Sequence, residues 1–283
     1  MTKITIATPA YGETFYASYV KSVLALQRMI DRRGWGSSFT TISYADVVEA
    51  RNYLLTRWFD QSDATHFLFV DADMGFEAAL VTDMLDFDKP LVGIIPPKRQ
   101  IDLKRLASLA AKGEAAEVAI ARAHDFIYRP LTDRMPKREK GFLEVEGCGA
   151  GLMLIRRDCI ETMLKKLPDL SEPDSKVLSL MNKKLTRMIR AFDNLRLDND
   201  RLSEDYSFCH RWRRLCGGEI WANVEHAITH VGIRHFQASF EPESKKPRVV
   251  INAGKEGVAA GAQAATPKGQ AGKPLTARIK IPR

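Results

Sequence analysis

Short apolar runs alternate with helical patterns along most of the chain. "KITIATPAYG" opens with a buried-strand pattern over Ile4 to Thr8 that stops at Pro9 and a glycine-containing loop. Apolar residues at Tyr16, Val20, Val23, Leu24 and Met29 then mark one face of a helix, which "RRGWG" ends. "SFTTISY" reads as a second strand, "ADVVEARNYLLTRWF" as a second helix and "THFLFVDAD" as a third strand. This βαβαβ alternation predicts an α/β fold with an open, mostly parallel, twisted sheet flanked by helices.

The pattern continues with a helix at "EAALVTDMLDF" and a strand at "KPLVGIIPPKR" closed by two prolines. "DLKRLASLAAKGEAAEVAIARAHDF" has helical composition, and "FLEVEGCGAGLMLIRRD" reads as one strand interrupted by glycines. "SKVLSLMNKKLTRMIRAFDNL" is amphipathic, a helix or a lid. "SEDYSFCHRWRRLCGG" carries both helix signals, with Ser203 placed to cap the start and Gly217 and Gly218 to end it.

After Phe240 the character changes. Residues 241–283 hold no Phe, Trp or Tyr and are rich in Gly, Ala, Pro and Lys, so they are expected to form a disordered basic tail behind a catalytic domain over 1–240. The tail also changes the meaning of the net charge of +8, because nine Lys or Arg against three Glu give it +6 and leave the domain nearly neutral. A broad basic groove for nucleic acid is therefore not expected. The four cysteines show no CxxC spacing, which fits reduced thiols in a cytosolic protein. Neither a signal-type apolar segment nor a membrane-length run appears.

Candidate chemistry centres on Asp71 and Asp73, placed where the third strand ends. Ligands of open α/β sheets bind at the carboxyl ends of strands. In an extended segment residues two apart face one side, so both carboxylates would look into one small volume. Two such anions are costly to bury together without a cation, and Mg²⁺ or Mn²⁺ on a diphosphate is the natural guest. A solvent-facing turn would give the same three letters.

"FVDADMGF" resembles the DxD segment of nucleotide-sugar glycosyltransferases of the GT-A fold, and further stretches follow in the order of that family, most similar to its family 2. "TPAYG" resembles the nucleotide-binding loop, "EGCGAGLMLIRRD" the segment beside donor sugar and acceptor, "LSEDYSFCHRWR" the ED motif and "ITHVG" the segment whose histidine completes the metal site. The resemblance spans residues 4 to 235. It implies that Asp73 and His230 bind the metal, with Asp71 reaching the metal through water or touching the ribose. Asp205 would be the general base and Glu204 would orient the acceptor or loop. Pro9 and Tyr11 would belong to the nucleotide loop, Asp46 would read the base and Arg51 would contact the nucleotide. Gly149 and Gly151, with Gly147, would let the backbone approach the ligand, or mark a bulge. His226 competes with His230, and "SED" is equally a good helix start.

The implied reaction is metal-dependent transfer of a sugar from a UDP- or GDP-type donor to a hydroxyl of a glycan or lipid-linked acceptor, inverting if Asp205 is the base. A retaining mechanism would leave Asp205 an orienting role. Sugar-phosphate nucleotidyl transfer is the rival enzyme class, but "TPAYGETF" has one glycine and no Lys or Arg for a triphosphate. A scaffold acting through the basic tail is the non-enzymatic alternative. Polysaccharide assembly in the cytoplasm, with peripheral contact at the inner membrane face, is the implied setting.

Overall fold

The computed structural model describes residues 1–173, 184–197 and 200–233. The expected domain end at 240 and the basic tail lie outside the described residues, as do 175–183 of the amphipathic segment. Eight strands form the main sheet: β1 (Lys3–Pro9), β2 (Gly36–Ile42), β3 (His66–Val70), β4 (Leu91–Ile94), β5 (Arg138–Glu139), β6 (Phe142–Val145), β7 (Leu152–Arg156) and β8 (Ile220–Asn223). Their order is β2-β1-β3-β7-β4-β8-β6-β5. β1 pairs in parallel with β2 and β3, and β8 with β4, while β7 and β6 run against the other six strands.

Helices α1 (Ala17–Arg32), α2 (Val47–Gln61), α3 (Ala78–Phe87), α4 (Leu103–Ala111), α5 (Ala116–Arg122), α6 (Arg157–Lys166) and α7 (Glu204–His210) complete the fold. Two apolar layers cover the sheet. Alternation along β3 sends Phe67 and Phe69 to one layer, with Trp58, Met153, Phe192 and Phe208, and Leu68 and Val70 to the other, with Leu26, Ile30, Met84 and Trp221. With both faces covered, the central strands read as continuous apolar runs, as β3 does. No helix among the described residues is long and apolar enough to cross a membrane.

Several sequence expectations change here. The buried face of α1 is Tyr19, Ser22, Leu26 and Ile30, while Val20 and Leu24 are exposed. Tyr19, Leu26 and Ile30 pack into the apolar layer, and Ser22 lies among them with its Oγ accepting the Phe76 amide at 2.8 Å. The glycine-rich stretch is two separate sheet strands, β6 and β7, which run in the same direction with β4 and β8 between them and are joined through Gly147–Cys148, which pairs with Tyr128–Arg129. The Leu/Ala/Lys-rich stretch breaks at Gly113 (φ 80°) into α4 and α5, and its end returns as a strand, His124–Phe126, against Pro97–Ile101.

The described part of the supposed lid belongs to the core. Arg187–Ile189 is a strand paired with Ser171–Pro173, and Met188, Ile189 and Phe192 are fully buried. Asn52 on α2 bridges it, donating to Asp193 Oδ1 at 2.7 Å and accepting the Phe192 amide at 2.8 Å, and Thr56 Oγ accepts the Ile189 amide at 2.8 Å. Phe192 stacks on Phe208 of α7 at 4.5 Å and packs edge-on to Phe69 of β3 at 5.3 Å. This segment fixes α7 to the sheet.

Candidate active site

β3 ends at Val70, so Asp71 and Asp73 sit in a turn, closed by the Met74 amide donating to Asp71 O at 3.0 Å. The extended geometry expected for the pair is absent, and the two carboxylates have different partners. Asp71 receives Arg51 Nη2 on both oxygens, at 3.0 and 3.1 Å. Asp73 Oδ2 receives Arg99 Nη1 at 2.9 Å and faces His230 Nε2 at 3.7 Å.

Arg51, expected at the nucleotide, turns inward from α2 and is 3% exposed. Besides Asp71 it donates to Ala150 O at 3.4 Å, lies over the Phe69 ring at 5.1 Å and has Nε 3.6 Å from Glu204 Oε1. Nε is buried without a hydrogen-bond partner, so the approach to Glu204 is one of charge. One guanidinium thus joins the acid at the end of β3 to the acid at the start of α7. Burial lifts the pKa of both Asp71 and Glu204 above ordinary carboxylate values, against the pull of Arg51.

Asp205 lies beside them. Its Oδ1 accepts the Ser203 hydroxyl and the Tyr206 amide, the latter at 2.8 Å, so Ser203 secures the neighbouring carboxylate instead of capping α7. A Cβ at Gly149 would stand 3.5 Å from Asp205 Oδ2, and one at Gly151 would stand 3.4 Å from Asp71 Oδ2 and 2.4 Å from Met74 Cε. The glycine segment therefore passes between the acidic motifs, as the chain needs if its backbone is to come near both. The Gly151 carbonyl also accepts the Asp71 amide at 2.8 Å.

His230 reaches Asp73 through a two-residue ladder, Thr229–His230 against Met74–Gly75, and the Val231 amide donates to Asp73 O at 2.9 Å. Its Nδ1 donates to Pro97 O at 2.8 Å, which turns Nε2 toward Asp73. The Asp73 contact raises the His230 pKa. Burial pushes Asp73 up, but His230 and Arg99 outweigh it and hold its pKa below the usual value. The competitor His226 is engaged elsewhere, with Asp83 at 2.8 Å.

The other expected nucleotide residues are more scattered. Pro9 ends β1, and Tyr11 follows it in an exposed turn. Asp46 caps α2, its Oδ1 accepting the amides of Val48 at 2.8 Å and Glu49 at 3.3 Å. Cys148 is buried against Cys209, whose hydrogen bond together with burial pushes its thiol well above the normal range, so it is inert. Among the described residues, no three His, Cys, Asp or Glu side chains gather closely enough to hold a metal ion by themselves. Arg99 and the Pro97 carbonyl went unnoticed in the sequence; the signal was "PPKR", two prolines and two cations at a strand end.

No protein-family model and no curated protein matches the sequence. Solved structures do. They include A197 from STIV (13% identity, 82% of this chain and 87% of that one, TM-score 0.42) and a Drosophila galactosyltransferase 7 mutant in complex with manganese, UDP-Gal and xylobiose (12%, 86% and 78%, TM-score 0.39). Staphylococcus aureus TarS with UDP-GlcNAc also matches (10%, 84% and 60%, TM-score 0.38), and nucleotidyltransferases appear at lower scores. Structural neighbours of this chain thus include nucleotide-sugar glycosyltransferases, at identities and scores too low to lend it their chemistry.

Proposed function

We propose that this chain transfers a sugar from a nucleoside-diphosphate donor to a hydroxyl of a glycan or lipid-linked acceptor. The observation that carries the reading is the convergence of two acidic motifs, distant in sequence, on the single buried guanidinium of Arg51. A glycine segment threads between them and an Asp–His pair stands alongside.

A divalent cation fits Asp73 and His230. The Pro97 hydrogen bond leaves His230 Nε2 free to ligate and Asp73 Oδ2 offers a hard oxygen beside it, so these two side chains would hold the cation together with phosphates of the donor. Asp71, committed on both oxygens to Arg51, supports this pair through the shared turn. When bound, Mn²⁺ or Mg²⁺ would offset the charge that builds on the leaving diphosphate.

In the inverting reading, the acceptor oxygen bonds to the anomeric carbon as the bond to the diphosphate oxygen breaks, and the acceptor proton passes to Asp205 Oδ2. Ser203 and the Tyr206 amide hold Oδ1, so the carboxylate keeps its aim. Glu204, under the charge of Arg51, positions the start of α7. The cytoplasm, at the membrane's inner face, is the setting we propose for this activity.

The test is a thermal-shift titration of UDP and GDP with and without Mn²⁺ on the full chain and on Asp73→Ala. A ligand at about one hundred times its Kd adds about 2.7 kcal/mol to folding stability. Stabilisation that requires nucleotide and metal together, and disappears in the variant, supports the reading; no response to any combination sinks it. Product configuration by NMR then decides the role of Asp205, since retention would remove it as base.

A further inference from the structure

We infer that Arg99 is a diphosphate-binding residue of this site, which pairs with Asp73 until a nucleoside diphosphate and its cation displace it. The inference rests on the donor reading above and adds a residue and a competition to it.

Three observations support it. The first is which atom Arg99 touches. Nη1 lies 2.9 Å from Asp73 Oδ2, the same oxygen that faces His230 Nε2 at 3.7 Å. The guanidinium therefore stands on the oxygen that a cation shared with His230 would use, and cation and guanidinium exclude one another there.

The second is how the side chain is delivered. Pro97 pairs with Phe126 and Ile101 with His124, so the Pro97 strand holds extra residues between the two pairings. Such irregularities re-aim side chains, and Arg99 lies within this one. Its stem crosses Gly232, where a Cβ would be 3.0 Å from Arg99 Cβ and 3.1 Å from Cγ and Cδ. Of the atoms met, Cβ is fixed to the backbone, so a side chain at position 232 would force a shift of a few tenths of an ångström between the two segments, while glycine lets the Arg99 stem pass. The same strand supplies the Pro97 carbonyl that orients His230. One arm thus carries both the guanidinium and the histidine's hydrogen-bond partner.

The third is exposure. The Arg99 side chain is 53% exposed, against 4% for Arg51. Asp73 is the more sheltered partner at 19%, so the open end of the pair is the guanidinium, which water can reach and compete for. Arg51 is walled in as a permanent clamp, whereas Arg99 is free to leave. A guanidinium released beside a cation site matches the fork geometry of phosphate oxygens. Arg99 would therefore move from Asp73 to the diphosphate as the cation takes Oδ2.

The test compares the full-length wild type with Arg99→Gln and Arg99→Lys by calorimetric titration with Mn²⁺ alone and with Mn²⁺ plus inorganic pyrophosphate. Pyrophosphate probes the diphosphate without depending on the base. Removing the competitor should tighten Mn²⁺ alone by about threefold. Removing the phosphate contact should weaken Mn²⁺-pyrophosphate by about tenfold or more. Arg99→Lys, which keeps the charge but not the fork, should fall between. Opposite movements of the two affinities are what a merely structural role would not produce. Equal losses with both probes, or no change in either, overturn the inference while leaving the donor site standing. A wild type that binds neither probe also overturns the inference, while the donor reading stands or falls on the UDP and GDP titration.

Discussion

Replacing Arg51 with methionine tests whether its charge holds the two acidic motifs together. Methionine keeps much of the volume, so the loss is one of charge and hydrogen bonds. The variant leaves Asp71 and Glu204 facing each other across an apolar gap beside Phe69, with side chains 29% and 19% exposed. Breaking a buried ion pair from one side costs about 3–5 kcal/mol; partial access of water to both carboxylates places this case near the lower end. For a domain of this size that is a fall in Tm of about 6–12 °C.

The deficit should depend on pH. Burial already lifts both carboxyl pKa values in the folded chain, and without the guanidinium they rise further. Between the ordinary carboxylate value and the raised one, the folded variant binds more protons than the unfolded chain, so its stability falls as pH rises through that window. Melts at about pH 5.5 and about pH 8 should therefore show a smaller gap from wild type at the lower pH. Adding Asp71→Asn and Glu204→Gln should recover most of the loss. A Tm change no larger than an ordinary surface substitution, or a gap independent of pH, would refute the clamp.

Asp205→Asn should lower kcat by about 10²–10⁴ while leaving nucleotide binding near wild type, as measured by initial rates and by titration. In Gly93→Ala the new methyl would stand 2.4 Å from the Cys148 sulfur; denaturant melts should show a loss of about 1–3 kcal/mol that Cys148→Ala largely restores. Asn52→Leu orphans the buried Phe192 amide and should cost about 1–3 kcal/mol. Hydrogen exchange should show the Ile189 and Phe192 amides losing protection in that variant before those of β3 do.

The parts of this structure that were legible are those where one residue type has few uses. The run "FLFV" meeting an acid, the "SED" helix start and Gly217 at φ 77°, just after the π-helical turn Arg211–Leu215 that continues α7, all mark strand or helix ends by local chemistry. The inward turn of Arg51 was not legible, because the resemblance sends it to the nucleotide and its letters alone read as a solvent-facing cation. The clue was the uncharged stretch beyond it, Asn52 to Thr56: every position from Ala50 to Thr56 is buried, since α2 is covered by the sheet on one side and by the 187–193 segment on the other. A helix buried all round has no polar face to which a charge can retreat. The turned face of α1 was hidden for a related reason, since Ser22 is buried through a backbone contact that no hydrophobic pattern records. Direction was equally silent: nothing in "LMLIR" says that β7 runs against β3.

The short ladder that brings His230 to Met74 bears on how the protein is made. β8, which lies between β4 and β6, and then the histidine are supplied by the last described stretch of chain. A ribosome must therefore extrude more than two hundred residues before the sheet can close, and must go further before the Asp73 turn gains His230. A growing chain would hold apolar sheet edges in waiting for that whole interval, and chaperone demand should be greatest just before β8 emerges. Residues 229–231, which bring His230 to Asp73, would be placed only after the sheet has closed, so this pair depends on a fold already formed around it.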